Sequence, residues 1–193
     1  MPNHWSARRL LCLLAGSSNS DFGLPEPETT DTELARECNR YRPSDGSVPN
    51  VERQKLLDEF NTRYVPALNA AAASEQRALF HHIVDTVMNG GSLQAYVGGK
   101  SGRGKTWLIN AVTAYLRLHG KVVLVCASTG IAAINHVGGM TAHALFKIPV
   151  VDGVECAGAA IACGIESGTQ RAELLAHVDL IVWVSVRGLP GGH

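Results

Sequence analysis

The chain has 193 residues, of which 46% are hydrophobic and 18% are charged, so it can form a globular core. The formal net charge is zero, although residues 21–60 hold ten acids and five bases and residues 61–193 hold seven acids and ten bases. This weak basic bias permits a nucleic-acid partner without indicating one. The five cysteines, odd in number and without a Cys-x-x-Cys pair, argue against a disulfide framework and for a reduced, intracellular chain.

The first segment, residues 1–20, contains Arg8 and Arg9 followed by a short apolar run that ends at Ala15. The run is shorter than the ~7–15 residues of a signal-peptide core and far shorter than the ~20 of a membrane span. We interpret it as an amphipathic helical start and expect no membrane partner. Nothing in the sequence indicates a specific protein partner.

The next segment, residues 16–50, is rich in Ser, Pro, Asp and Glu and reads as loops, with a short helix around 33–41. Residues 51–65 have the apolar spacing of a helix. We expect this front third to be a lead-in and not part of a core.

The pattern sharpens from residue 74. Residues 74–88 carry one helical apolar stripe, with Ser74 as the predicted N-cap and Asn89-Gly90-Gly91 as its end. The run 93–97, "LQAYV", predicts a short strand, and a glycine-rich loop and a helix over 105–119 follow it.

A second apolar run, 121–128, predicts a strand buried on both faces, and "TGIAAIN" then begins another helix. After the helical "QRAELLAHV", the run 179–184 predicts a third buried strand. This alternation is typical of a parallel α/β sheet.

Residues 98–106, "GGKSGRGKT", match the Walker A pattern of a P-loop in full, and this segment is called the phosphate loop below. Its glycines, Gly99, Gly102 and Gly104, let backbone N–H groups close around phosphate oxygens. Lys105 would reach the β and γ phosphates, and the Thr106 hydroxyl would bind Mg²⁺. Lys100 and Arg103 add positive charge that could face either the phosphates or solvent. The pattern predicts ATP with Mg²⁺ as ligands, although a P-loop alone does not choose among kinases, GTPases, transporter ATPases and helicases.

Several segments in natural order resemble one family, the petite-integration-frequency (Pif) type of ATP-dependent DNA helicases, in particular the branch carried by Helitron transposons. The segments are "GLPEPE", "SEQRALFHHIVDTV", "GKSGRGKTWLINAV", "KVVLVCASTGIAAINHVGGMTAHALFKIPV" and "IESGTQRAELLAHVDLIVW". The resemblance covers most of residues 21–183. It implies a motor with two RecA-like lobes that moves five-prime to three-prime on single-stranded DNA, acting in DNA repair, recombination or transposon replication. A eukaryotic transposon helicase would in turn imply a nuclear location.

The resemblance also implies residue roles. Gln76 falls at the family's adenine-contacting glutamine, and Arg103 falls in the phosphate loop. Residues 128–130, which are Ser128, Thr129 and Gly130, would meet a DNA phosphate at a strand-to-helix turn. Thr141 and His143 would lie near the DNA backbone. Without the resemblance, Thr129 reads as a plain helix N-cap.

One expected feature is missing. The family's third strand should end Trp-Asp-Glu, whereas here Trp183 is followed by Val184 and Ser185. The Asp helps to hold Mg²⁺ and the Glu polarises the attacking water. Asp179, at the start of the strand, is too far away to substitute.

The predicted fold class is therefore a P-loop NTPase of the α/β class, with an incomplete RecA-like parallel sheet and a helical and irregular N-terminal lead-in. The expected division is a lead-in over 1–65, a partial first lobe over 66–183 and a non-matching tail over 184–193. Translated intron sequence and a decayed gene copy both account for that tail.

Three functions stay open: part of an ATP-dependent DNA helicase, a pseudo-helicase that binds nucleotide or single-stranded DNA without turnover, and a small-molecule kinase. The kinase is the weakest, because "STGIAA" and "TAHALF" fit no kinase arrangement. We expect no turnover from this chain.

Overall fold

The computed structural model describes residues 32–44, 49–70, 73–149 and 164–185. Its helices, in chain order, are α1 Glu33–Arg40, α2 Val51–Glu59, α3 Val65–Asn69, α4 Ser74–Met88, α5 Lys105–Leu118, α6 Gly130–Ala133, α7 Ala142–Phe146 and α8 Gln170–Ala176. A π-helical turn, Phe60–Tyr64, joins α2 to α3. The strands are β1 Val123–Ala127, β2 Met140–Thr141 and β3 Leu180–Val184.

The three strands form one parallel sheet in the order β2-β1-β3, so the predicted parallel α/β architecture is confirmed for this small sheet. All five residues of β1 are buried, as expected of a central strand covered on both faces. Because the strands are parallel, their carboxyl ends share one edge, where Ala127 pairs with Thr141 and with Val184. The residues predicted to meet DNA follow the strands at this edge.

Helices α4 and α5 pack against each other beside the sheet and place the phosphate loop at the start of α5. The predicted stripe on α4 is confirmed for Phe80, Val84 and Val87, which are buried. Leu79 and Ile83 are partly buried, whereas Met88, which was predicted to belong to the stripe, is 38% exposed at the end of the helix. The predicted N-cap is off by one residue, because the cap is Ala73 and Ser74 is already helical. The Ala73 N–H donates to the Ala70 carbonyl at 3.1 Å, directly before the helix begins.

The front helices are part of the core, so the expectation that they lie outside it is wrong. Tyr41, Leu56, Phe60, Tyr64 and Leu68 are buried in the same cluster as the apolar face of α5. Sequence periodicity identified these helices but could not show what their apolar residues touch.

Arg53 ties α2 to the end of α5, because its Nη1 donates to the carbonyls of Tyr41 and Leu118 at 2.7 and 2.9 Å. These two bonds fix the front helices against the helix that carries the phosphate loop.

Two strand predictions need correction. Residues 93–97 form no strand, because no other segment pairs with them in the described part of the chain. The strand β3 forms as predicted but is not buried. Its residues are alternately half-buried and exposed, and 54% of Trp183 is accessible although its ring stacks on Phe146 at 5.7 Å. Among the described residues β3 pairs with β1 alone, which leaves its outer edge unpaired.

None of the described helices is both long enough and apolar enough to cross a membrane.

Candidate functional site

The phosphate loop needs glycine at Gly104 for two reasons. This residue caps α5 in the left-handed conformation, with φ of 79°. A Cβ there would lie 3.0 Å from Gln76 Nε2. Left-handed backbone favours glycine, and the lack of a side chain lets Gln76 approach the loop. The strand-to-helix pattern had predicted a loop of this kind at the start of the helix.

Lys105 closes the loop from inside. Its Nζ donates to the carbonyls of Gly99 and Lys100 at 2.7 and 2.8 Å, so the ammonium is held against the loop's own backbone. Phosphate oxygens are stronger partners for an ammonium group than neutral carbonyls. The arrangement fits a triphosphate, provided that Lys105 exchanges its carbonyl partners for phosphate.

Gln76 on α4 reaches the same loop and donates through Nε2 to the Arg103 carbonyl at 3.1 Å. The Arg103 side chain is exposed. An open cleft of about 370 Å³ lies here, lined by Ala67, Ala73, Gln76, Gly102, Arg103, Gly104 and Trp107. The structure thus brings together the glutamine and the loop residues that the sequence placed 23 or more positions apart.

Sequence reasoning missed three residues that line this cleft, Ala67, Ala73 and Trp107. Trp107 directly follows Thr106, so its place in the first turn of α5 was the available signal. Its ring packs 5.7 Å from that of Tyr64 in the π-helical turn, which joins the front helices to the cleft. Burial, followed by the nearby Glu59 carboxylate, raises the pKa of Tyr64 to about 12, so its hydroxyl stays protonated and donates to Glu59 at 3.2 Å.

Thr106 is exposed at the second position of α5. One protein hydroxyl is a sufficient anchor for Mg²⁺ only together with phosphates and waters, because this ion keeps six oxygen ligands and gives up water reluctantly. The residues present therefore fit Mg²⁺ as part of a nucleotide complex.

The five residues predicted to contact DNA lie along the carboxyl edge of the sheet. Ser128, Thr129, Gly130 and His143 are exposed, and Thr141 is half-buried. Each threonine also caps a helix: the hydroxyls of Thr129 and Thr141 accept from Ala132 N and Ala144 N at 3.3 and 3.2 Å. The capping interpretation of Thr129 is thus confirmed, and the DNA contact stays a prediction.

At the end of β3, where a carboxylate pair was expected, Val184 packs against the buried Ala127, Ala132 and Ala133, and its carbonyl accepts from Ser128 N at 3.2 Å. Asp179 lies at the opposite end of the strand. Its carboxylate binds Lys121 Nζ at 3.0 Å and Val122 N at 2.8 Å. Asp179 is thus engaged at the amino end of the sheet, as its sequence position had indicated.

Sequence reasoning also missed a polar contact between Asn110 on α5 and His136, which follows α6. Asn110 Oδ1 lies 2.6 Å from His136 Nδ1, and Asn110 Nδ2 donates to the Asn135 carbonyl at 3.2 Å. His136 is only 5% exposed. No spacing rule marks these residues, because they are 26 positions apart and belong to different elements.

We predict that His136 makes the fold weaker in mild acid. Burial lowers the pKa of His136 in the folded state, so the unfolded chain, with a pKa of about 6.5, takes up the proton first as pH falls. The free energy of unfolding should therefore decline below about pH 6.5, by up to ~1.4 kcal/mol per pH unit, and level off below the folded pKa. Urea unfolding from about pH 7.5 to about pH 5.5 measures this.

The matched variant is His136→Gln, which keeps a donor for Asn110 and does not titrate. Its decline over the same interval should be smaller than that of the natural chain. Parallel curves for the two proteins would show that His136 is not responsible.

Comparison with known proteins gives a consistent set of matches. The family model described as PIF1-like helicase matches residues 71–187. The chain is 36% identical over 176 residues to the ATP-dependent DNA helicase PIF4 of Trypanosoma brucei brucei. This match covers 88% of this chain and 21% of that protein. The chain is 28% identical over 95 residues to the ATP-dependent DNA helicase PIF3 of the same organism, covering 49% of this chain and 11% of that protein. The chain thus spans about a fifth or less of the length of these curated relatives.

Proposed function

The chain belongs to the PIF1-like helicase family, and from this premise we propose that it is an ATP-binding part of a first helicase lobe that also meets single-stranded DNA. ATP with Mg²⁺ would occupy the phosphate loop and the cleft beside Gln76. DNA would contact the carboxyl edge of the sheet.

One observation carries the nucleotide part of the proposal: Gln76 and Lys105 converge on one glycine-rich loop from different helices. Lys105 and the free N–H groups at the start of α5 suit phosphate, because a helix N-terminus favours an anion. Gln76 borders the open cleft, where a flat base can lie against Trp107 and Ala67. The cleft and the phosphate loop together match the two ends of a nucleotide.

The proposed contact with DNA rests on the edge of the sheet at which the carboxyl ends of the parallel strands meet. Exposed backbone and hydroxyl groups of residues 128–130 lie beside Thr141, which is paired in register with Ala127. Backbone N–H and hydroxyl groups bind phosphates without regard to base sequence. We propose that these residues, with His143, follow the backbone of a single strand.

The second candidate function is that of a pseudo-helicase, which binds nucleotide or single-stranded DNA without hydrolysing ATP. The residues after Trp183 favour this function for the chain by itself. Val184 and Ser185 supply no negative charge, and Asp179 is bound to Lys121 at the other end of β3. A base that polarises water is typically worth ~10²–10⁴ in rate. We therefore propose that the chain is catalytically incomplete by itself.

We predict that the 193-residue chain binds ATP but releases no phosphate above a Mg²⁺-containing blank. The measurement is phosphate release with and without single-stranded DNA, made beside a calorimetric titration with ATP. Release that depends on Mg²⁺ and rises with DNA would contradict the missing-carboxylate argument. Absence of ATP binding would instead refute the nucleotide site.

We further propose that the chain derives from the Helitron branch of the family, because lysine and arginine inside the loop resemble that branch. A role in transposon replication, repair or recombination, and a nuclear location, follow from that branch. Fluorescence microscopy of the tagged chain in its own cells tests the location, and exclusion from the nucleus would refute it.

A further inference from the structure

Helix α5 runs from the phosphate loop towards the amino end of β1, and it holds the segment 135–137 at two points. Near its start, Asn110 binds Asn135 and His136. At its end, the buried Arg117 donates to the Val137 carbonyl at 2.6 Å and to the Val123 carbonyl at 2.9 Å. The helix that begins at the phosphate loop is therefore bonded directly to the chain that leaves α6.

The two contacts differ in character. Arg117 is only 4% exposed, bridges the segment to β1 and lies three turns from the phosphate loop. Asn110 is half-buried and lies one helical turn after Thr106, on the same side of α5. A shift of the first turn of α5 would therefore reach Asn110 first.

The Asn110 amide also determines which ring nitrogen of His136 carries the hydrogen. Since Nδ2 donates to the Asn135 carbonyl, Oδ1 is the atom that faces the imidazole. Oδ1 can only accept, so His136 Nδ1 carries the hydrogen. The Asn110 oxygen therefore accepts from the imidazole and its nitrogen donates to the Asn135 carbonyl, so the contact requires one orientation of the amide.

The element beyond this contact is weakly packed. The four-residue helix α6 buries only Ala132 and Ala133, while Ile131 and Ile134 are 80% and 79% exposed. Segments with few buried contacts open at low free energy. Anchoring α6 at its carboxyl end therefore has a large influence on how well residues 128–130 are ordered at its amino end.

We propose that Asn110 is a positioning residue that couples occupancy of the phosphate loop to the order of α6 and the strand edge. This proposal rests on the proposed nucleotide site and adds to it. Nucleotide binding would fix the first turn of α5, hold Asn110 against His136, and so stabilise the edge that faces DNA. The coupling free energy acts in both directions, so DNA at the edge would tighten nucleotide binding by the same factor.

Hydrogen exchange tests the proposal without requiring DNA. The amides of Ala133, Ile134, His136 and Gly139 donate to carbonyls that lie between residues 129 and 136, so their exchange reports the opening of residues 129–139. Exchange is measured with and without saturating Mg²⁺ and a non-hydrolysable ATP analogue, in the natural chain, in Asn110→Ala and in Val87→Ala. Val87 is buried on α4, so its variant matches a loss of stability without touching the contact.

We expect the analogue to slow exchange over 99–106 in all three proteins. Over 130–139 it should slow exchange ~5-fold or more in the natural chain and in Val87→Ala, and leave Asn110→Ala unchanged. Equal protection of 130–139 in Asn110→Ala would overturn the proposal, as would protection of 99–106 alone in the natural chain. Absence of protection at 99–106 in the natural chain would instead overturn the nucleotide site itself.

Discussion

Replacing Lys105 by alanine is expected to weaken the binding of MgATP by on the order of 100-fold or more. Hydrogen bonds to charged groups contribute about 1.5–3 kcal/mol each, and this ammonium makes two to loop carbonyls that phosphate oxygens can replace. Removal of the side chain deletes these bonds and the ammonium group that the loop would hold against the phosphates. Isothermal titration calorimetry with ATP and Mg²⁺ measures the change.

The matched control is Lys100→Ala, which removes the same charge from the same loop. The Lys100 residue is exposed, and an exposed charge contributes about 0–1 kcal/mol, so binding should change by no more than ~5-fold. Thermal unfolding of each variant separates lost binding from lost structure. Equal ATP affinity in the natural chain and in folded Lys105→Ala would refute the loop assignment.

The sequence predicted best those parts whose signal is local. The stripe on α4, the buried run of β1 and the phosphate loop each depend on spacing within about fifteen residues. The structure confirms the buried part of the stripe and the buried run of β1, and it places the glycine-rich loop directly before α5, where Gln76 touches the loop residue Arg103.

The errors arise where the outcome depends on a distant neighbour. Residues 93–97 have strand-forming side chains, but a strand also needs a partner, and the described sheet ends at β3. The apolar run of β3 predicted burial on both faces, yet Trp183 is half-exposed and β3 is an edge strand of the described sheet. The sequence of an apolar strand does not show which other elements will pack against its faces.

In the candidate site, too, the residues with a local sequence signal were predicted and those that depend on distant neighbours were not. The loop residues follow from a pattern of eight positions, whereas the cleft walls Ala67 and Trp107 are brought together by packing of the front helices. The contact between Asn110 and His136 joins ordinary polar residues that carry no signature. Such contacts become visible only once the helices are placed.

Replacing Gly139 by alanine is expected to destabilise the fold by about 3 kcal/mol or more. A Cβ at this position would overlap the Ala133 carbonyl oxygen and lie 3.1 Å from that of His136. Both are backbone atoms of the turn that leads from α6 to β2, so relief requires the turn itself to open. Opening would break the bond from Gly139 N to the His136 carbonyl and displace Thr141 from its register with Ala127.

Urea unfolding followed by circular dichroism measures this loss, and Gly130→Ala is the control. A Cβ at Gly130 would meet no atom within 4 Å, so that variant should change the free energy of unfolding by less than ~1 kcal/mol. The total stability of a small domain is about 5–15 kcal/mol, so the Gly139 variant should lose a large share of it. If the two variants unfold at the same urea concentration, the close approach of Gly139 to Ala133 does not determine how β2 joins the sheet.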